Sequence, residues 1–252
     1  MIPKIIHYCW LSSDPIPDDL NKYMSHWKEI LTDYEFVKWD FSKFDKLSSD
    51  WVSEAFDNKK YAFACDYIRL YAVYNFGGIY MDMDIEVVKS FDTLLNKSEM
   101  FAYEGKKNCG IEAGCFGAEK NNPFVCQCLN YYKGKHFVKE NGDLDTVPLP
   151  QIMQKIYNDN HYKFKLYDCD FFTAKSFNTG VVRKTVNTYA VHHFAGSWKN
   201  DIEKKRIEER RRLTNRYGWL GRNYAEMKEA WQDYGVSGML DVMMNKIENK
   251  FK

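Results

Sequence analysis

Tyr61-Ala-Phe-Ala-Cys-Asp-Tyr-Ile-Arg-Leu-Tyr-Ala-Val-Tyr-Asn-Phe-Gly-Gly-Ile-Tyr-Met-Asp-Met-Asp84 is the stretch on which the fold turns. Its first part, from about Lys60 to Asn75, holds no proline or glycine and reads as a long helix; Gly77-Gly78 is its stop signal. Ile79 to Val88 then resumes as a strand. On that strand Asp82 and Asp84, two residues apart, share one face and can present oxygens to one hard cation. Asp66 and Arg69 stand at i, i+3 on the helix, close enough to touch. A chain reversing at the two glycines brings all four groups to one sheet edge.

Outward from this stretch, Ile2 to Trp10 is a short apolar run closed by Ser12-Ser13-Asp14-Pro15, hence a buried first strand. Asp18 to Leu31 has helical spacing, and Tyr34 to Trp39 alternates as a second strand; a charged connector leads to Lys60. Beyond Val88, Phe101 to Ala118 is glycine-broken and suggests a strand pair or a strand with a loop. Phe124 to Tyr132 and Pro150 to Asn158 read as helices, and Lys163 to Phe172 and Thr188 to Phe194 as late strands. The order strand, helix, strand, helix, strand predicts an α/β class with a Rossmann-like mixed sheet and flanking helices. From Trp198 the composition turns to charged helical sequence. The expected division is a catalytic domain over 1–199 and a helical appendage over 200–252.

The bulk numbers narrow the function. A chain of 252 residues with 45% hydrophobic content can bury a large core. A net charge of +1 argues against wholesale binding to a nucleic-acid backbone. Seven cysteines, odd in number and irregular in spacing, fit reduced thiols in a cytosol. The N-terminus has no basic region followed by an apolar one, and no run approaches the roughly 18 apolar residues of a membrane span. A cytoplasmic protein, soluble or peripheral at the inner face of the plasma membrane, is expected.

A D-x-D pair alone is as readily a solvated strand end, and Asp66 with Arg69 alone a surface ion pair. Together they form the inventory that sugar transfer from a nucleotide diphosphate needs. The leaving group departs with growing negative charge that a bound metal can neutralise, while Arg69 offers charge-assisted donors and Asp66 accepts from sugar hydroxyls.

The pattern A-x-x-D-x-x-R followed by G-G-x-Y-x-D-x-D resembles the D-x-D sugar-binding region of glycosyltransferase family thirty-two. That family includes yeast outer-chain mannosyltransferases and bacterial capsule and O-antigen enzymes, and the large clostridial toxin glucosyltransferase domains share the pattern. The opening Ile2-Pro-Lys-Ile-Ile-His-Tyr-Cys-Trp10 is similar to the family's I-P-K-I-I-H-x-x-W start, and His192-His-Phe-Ala-Gly-Ser-Trp198 to its H-H-x-x-x-S-W close. The resemblance implies a GT-A nucleotide-sugar-binding fold and a retaining hexosyl transfer. The donor would be a nucleotide sugar (UDP-Gal, UDP-Glc or an N-acetylated relative, with GDP-mannose behind them), the acceptor a glycan or lipid-linked saccharide in surface polysaccharide synthesis.

Roles follow position by position from that likeness. Trp10 would stack on the base, Asp66 and Arg69 would hold the donor sugar, and Tyr80 would pack against the nucleotide. Asp82 and Asp84 would hold ribose, diphosphate and Mn2+ or Mg2+. His192 or His193 would complete the metal shell; neighbours on a strand face opposite ways, so one of the two points inward, with His192 favoured. Ser197 and Trp198 would meet the diphosphate. Asp82, Asp84, Arg69 and Asp66 form the expected catalytic set.

Two departures leave the donor open. Glu112-Ala113-Gly114 stands where relatives often carry Asn beside the donor sugar, so Glu112 is expected to reach the reacting sugar or an acceptor hydroxyl, or else to be a loop carboxylate. Thr146-Val147-Pro148 matches the family's T-G-P only loosely.

Seven Lys or Arg against four Asp or Glu between Asp201 and Arg216 suggest peripheral contact of the C-terminal helices with an anionic membrane. A solvated helix face is the competing reading and the one favoured, since no covalent lipid signal supports the membrane. Two further functional alternatives remain: a non-catalytic nucleotide-sugar or glycan binder of the same fold, and an aspartate-nucleophile phosphohydrolase. The latter is suggested by Tyr80-Met-Asp-Met-Asp-Ile-Glu86, although Glu86 sits where those enzymes want Thr or Val.

Overall fold

The computed structural model describes residues 1–196 and 201–248, with side chains through Met244. The chain divides into two compact units, one of Met1–Lys175 with Val182–Ala195, the other of Ser176–Val181 with Gly196–Lys252.

The first unit is mixed α/β, as the sequence predicts. In chain order it contains β1 (Ile5–Cys9), α1 (Asp18–Ile30), β2 (Glu35–Trp39), α2 (Asp50–Asp57), α3 (Tyr61–Phe76), β3 (Gly78–Met81), β4 (Ile85–Val87), β5 (Glu99–Ala102), β6 (Cys115–Ala118), α4 (Pro123–Asn130), α5 (Leu149–Asp159), β7 (Leu166–Tyr167) and β8 (Ala190–His192). Six strands form one sheet in the order β2-β1-β3-β6-β5-β7, and β4 pairs with β8 in a second, two-stranded sheet. β1 runs parallel to both β2 and β3, while β6 is antiparallel to β3 and β5.

Strand pleating sorts side chains into two cores. Ile6, Ile79, Met81, Met100 and Cys115 pack on one face with Leu20 and Trp27 of α1. Cys9, Tyr80, Phe101 and Phe116 pack on the other with α2, α3, α4 and α5. The β1-to-β2 connection therefore carries its helix on one face and the β2-to-β3 connection on the other. The carboxyl ends of β1 and β3 form a topological switch point, the place where open α/β sheets leave a crevice.

Three expectations are corrected. The strand foreseen over Ile79 to Val88 is broken: β3 ends at Met81, a turn closed by Ile85 N–H donating to Asp82 C=O (3.1 Å) follows, and β4 joins the other sheet. Part of the charged connector folds as α2, capped by the Ser49 hydroxyl accepting from Val52 N–H. Of the strand expected over Lys163 to Phe172, only Leu166–Tyr167 pairs.

The Gly77-Gly78 turn is packed as tightly as it is sharp. Gly78 has φ 106°, and a Cβ there would lie 2.6 Å from Ile5 O and 3.2 Å from His7 Nε2. His7 is 1% exposed; its Nε2–H donates to Gly77 O (2.8 Å) and its Nδ1 accepts from Trp39 Nε1–H (3.1 Å). This requires the neutral ring, and burial pushes its pKa below the ordinary 6.5.

In the second unit α6 (Asp201–Glu248) is interrupted at Gly218 (φ 60°) and Gly235 (φ 66°). Its first two helical segments form an antiparallel hairpin. Arg206 makes two bonds to Asp233 (2.7 and 2.6 Å), Lys228 reaches Glu209 (2.8 Å), and a Cβ on Gly221 would sit 2.1 Å from Leu213 O. Arg211 and Asn215 hold the 176–181 segment through Phe177 O (3.0 Å) and Thr179 O (2.8 Å). No helix among the described residues is long and apolar enough to cross a membrane.

His7 gives a pH test. A histidine whose pKa falls on folding contributes stability that is complete above pH 6.5 and is lost as pH drops through the folded value. Thermal melts from pH 7.5 to 5 should show wild type losing up to about 1.4 kcal/mol per pH unit more than His7→Gln, the slope of one linked proton. Equal pH slopes in the two proteins would refute the linkage.

Candidate active site

α3 is apolar on nearly every side, yet it buries Asp66 and Arg69 at 9% and 6% exposure. Such groups persist only when paired. Arg69 NH2 lies 3.2 Å from Asp66 Oδ1; NH1 donates to Ala113 O (2.7 Å) and lies 3.3 Å from Asp82 Oδ2, and Nε reaches Cys65 O (3.4 Å). Below the guanidinium, 4.6 Å away, is the Tyr80 ring, whose hydroxyl donates to Asp82 Oδ1 (2.9 Å). Burial pushes Asp66 up to about 7, against the pull of the Arg69 charge.

Asp82 and Asp84 converge because they occupy the turn after β3, instead of one strand face as expected. β4 pairs with β8 in a register that sets Ile85 opposite His192. This brings His192 Nε2 to 3.5 Å from Asp84 Oδ1 and 3.9 Å from Asp82 Oδ2. Ligand atoms of Asp82, Asp84 and His192 all lie within 4.8 Å of one another. Asp84 Oδ2 is steadied by Ala195 N–H (2.6 Å), and Phe194, at φ 53°, stacks on the His192 ring at 4.2 Å.

The donor set fits a hard divalent cation: two carboxylates and an imidazole around a space that Gly114 keeps open. A Cβ on Gly114 would fall 2.6 Å from His192 Cε1 and 2.8 Å from Asp82 Oδ2. The electrostatics agree. Burial opposes a charged His192, but Glu112, Asp84 and Asp82 outweigh it and push the imidazole up to about 10, so the cluster already attracts positive charge.

Several expected residues sit elsewhere or serve differently. His193 faces away from the cluster, bonded to Glu86 (2.8 Å) and stacked on Tyr23, and is not brought together with Asp82 and Asp84. Tyr80 is 1% exposed and orients Asp82 from beneath, with no face left for a nucleotide. Glu112 is completely buried among protein partners; it accepts from Gly114 N–H (2.5 Å) and bonds His192 Nδ1 (3.0 Å). Arg69 has all three nitrogens turned to protein partners, which makes it the anchor of Asp82. Trp10 follows β1 at the switch point, half-buried, with Nε1–H donating to Asp14 O (2.8 Å). Ser197 and Trp198 lie outside the described residues.

Three contributors escaped the sequence reading. Thr173 donates its hydroxyl to Glu112, and nothing in its surroundings marks it. Gly114 was visible only as part of Glu112-Ala113-Gly114. Glu104, beside the same acidic group, is pushed up to about 7 by burial and by the Glu112 charge.

Gly114→Ala tests the cluster's geometry. The added methyl should leave the far-UV circular dichroism unchanged while weakening Mn2+ binding about tenfold or more, read by electron paramagnetic resonance of free Mn2+. Unchanged affinity would mean that the cation does not sit between Asp82 and His192.

Residues 17–101, which include Asp82 and Asp84, match the family described as glycosyltransferase sugar-binding region containing DXD motif. Inositol phosphoceramide mannosyltransferase 3 of Schizosaccharomyces pombe is 30% identical over 132 residues, covering 51% of this chain and 36% of that protein. Mannosyl phosphorylinositol ceramide synthase SUR1 of Saccharomyces cerevisiae is 29% identical over 145 residues, covering 53% and 35%. The matched stretch thus spans about a third of the length of these two relatives. Among solved structures, the PaToxG glycosyltransferase aligns at a TM-score of 0.46 with 20% identity, over 63% of this chain and 70% of that one. Residues 17–101 are thus similar to the DXD-containing sugar-binding region of glycosyltransferases, and here the D-x-D follows a central strand of a mixed α/β sheet.

Proposed function

We propose that this chain transfers a hexose, with retention, from a nucleoside diphosphate sugar to a glycan or lipid-linked saccharide, with residues 1–199 as the catalytic domain and the cytosol as its compartment. The observation that carries the reading is the convergence of Asp82, Asp84 and His192 from two separate elements at the switch-point crevice. Asp82, Asp84 and His192 would hold Mn2+ or Mg2+. Such a cation, when bound, neutralises the charge that grows on the departing diphosphate.

The chain's own groups prepare that crevice. Arg69 and Tyr80 fix both oxygens of Asp82, and Ala195 N–H fixes Asp84, so little reorganisation remains when a donor arrives. Asp66, with 12% of its side chain accessible, remains the residue to accept from a donor-sugar hydroxyl. The same bonds speak against an attacking aspartate: both Asp82 oxygens are already engaged by protein donors. The UDP-hexoses stay the first donors to test, and the mannosyl names of the two relatives bring a mannose donor beside them.

A lipid-linked acceptor gives the helical unit a role. The hairpin tip exposes Tyr217, Trp219 and Leu220 at 53%, 66% and 59%. Residues 210–225 hold five arginines and no acid, a composition suited to an anionic lipid surface. The full chain should co-sediment with phosphatidylglycerol vesicles and not with phosphatidylcholine vesicles, and Trp219→Ser should reduce that binding severalfold. Equal partition to both vesicle types would remove the membrane role.

Asp84→Asn tests catalysis. It should lower Mn2+-dependent release of nucleoside diphosphate from a donor sugar by about a hundredfold or more, with the melting temperature held within a few degrees. Retained turnover would refute the site. A wild type that binds donor and Mn2+ but never releases diphosphate would be a binding protein of this fold.

A further inference from the structure

We propose that Glu112 is a positioning residue that sets which ring nitrogen His192 presents to the cation, a proposal that rests on the metal reading above. A neutral imidazole has one N–H and one lone pair, and the partner of the first nitrogen decides the role of the second. Here Nδ1 faces Glu112 Oε1 at 3.0 Å. An ionised carboxylate only accepts, so Nδ1 carries the hydrogen. Once a cation displaces the second ring proton, the lone pair is left on Nε2, the nitrogen that faces Asp84 and Asp82.

Glu112 is built to hold this arrangement. It is 0% exposed, which excludes contact with a sugar or diphosphate, and each of its oxygens has a donor. Oε1 takes Gly114 N–H as well as His192, and Oε2 takes the Thr173 hydroxyl. The carboxylate is tied on both sides. Glu112 N–H donates to Ala102 O at the end of β5 (2.9 Å), and Thr173 bridges Val191, the residue before His192. Gly114, whose N–H holds Glu112, also accepts from Asp82 N–H through its carbonyl (2.7 Å). One buried carboxylate thus couples the backbone of the D-x-D turn to the imidazole, and a rotation of its side chain would release both.

Histidine-ring nitrogen NMR of full-length protein saturated with Mg2+ reads the tautomer directly. The expected result is hydrogen on Nδ1 of His192; hydrogen on Nε2 would overturn the proposal whatever the protein's activity. In parallel, Glu112→Gln should weaken Mn2+ binding about tenfold or more by paramagnetic resonance, with an unchanged melting temperature. Thr173→Val, which removes one donor and leaves the carboxylate, should shift the affinity in the same direction by less, and serves if the Gln variant does not fold. Wild-type affinity in a folded Glu112→Gln protein would sink this inference alone. Failure of the wild type to bind Mn2+ at all would sink the metal reading beneath it.

Discussion

The charge on Arg69, held inside a helix that is otherwise apolar, is the constraint around which the site is arranged. A guanidinium at 6% exposure must find acceptors within the fold, and it finds Asp66 one turn away, the Ala113 carbonyl, and Asp82 across the crevice. Removing one partner of such a buried pair costs about 3–5 kcal/mol, because the other charge stays buried without compensation. Asp82 is therefore placed by the needs of the core as much as by those of a ligand. The Tyr80 ring beneath the guanidinium belongs to the same arrangement, since its hydroxyl takes the second oxygen of Asp82.

Around this anchor the backbone solves a problem of reach. A straight strand through Asp84 would carry the second aspartate along the main sheet, away from any histidine. Ending β3 at Met81 and starting β4 in a separate two-stranded sheet turns the chain out of the main sheet, and the pairing of Ile85 with His192 closes the distance. Trp27 secures the new strand from α1, donating its indole N–H to Ile85 O (2.6 Å) with no exposed surface of its own. Three carboxylates then surround one imidazole. Such a concentration of negative charge, partly removed from water, favours positive charge at its centre, and Gly114 leaves the room for it.

What the sequence by itself determined is the set of features that depend on neighbours along the chain. The stretch without proline or glycine before Gly77-Gly78 required a helix, the i, i+3 spacing required Asp66 and Arg69 to meet, and the alternation of apolar strands and helices required an α/β sheet. The D-x-D also lies within residues 17–101, the stretch similar to the sugar-binding region of glycosyltransferases. Each of these rests on a helical or strand period, which a one-dimensional pattern records in full.

The tertiary structure alone decided which way each functional side chain turns. Whether Asp82 and Asp84 share a strand face or a turn, whether His192 or His193 meets them, and whether Glu112 reaches a sugar or a histidine all depend on the register of β4 against β8 and on packing between segments about 80 residues apart in the chain. Tyr80 reads as an ordinary strand tyrosine until the helix above it places a guanidinium on its ring, and Thr173 carries no signal until Glu112 is buried beside it. Register and burial are set by contacts distant along the chain, and a shift of one residue in the pairing would have exchanged the two histidines.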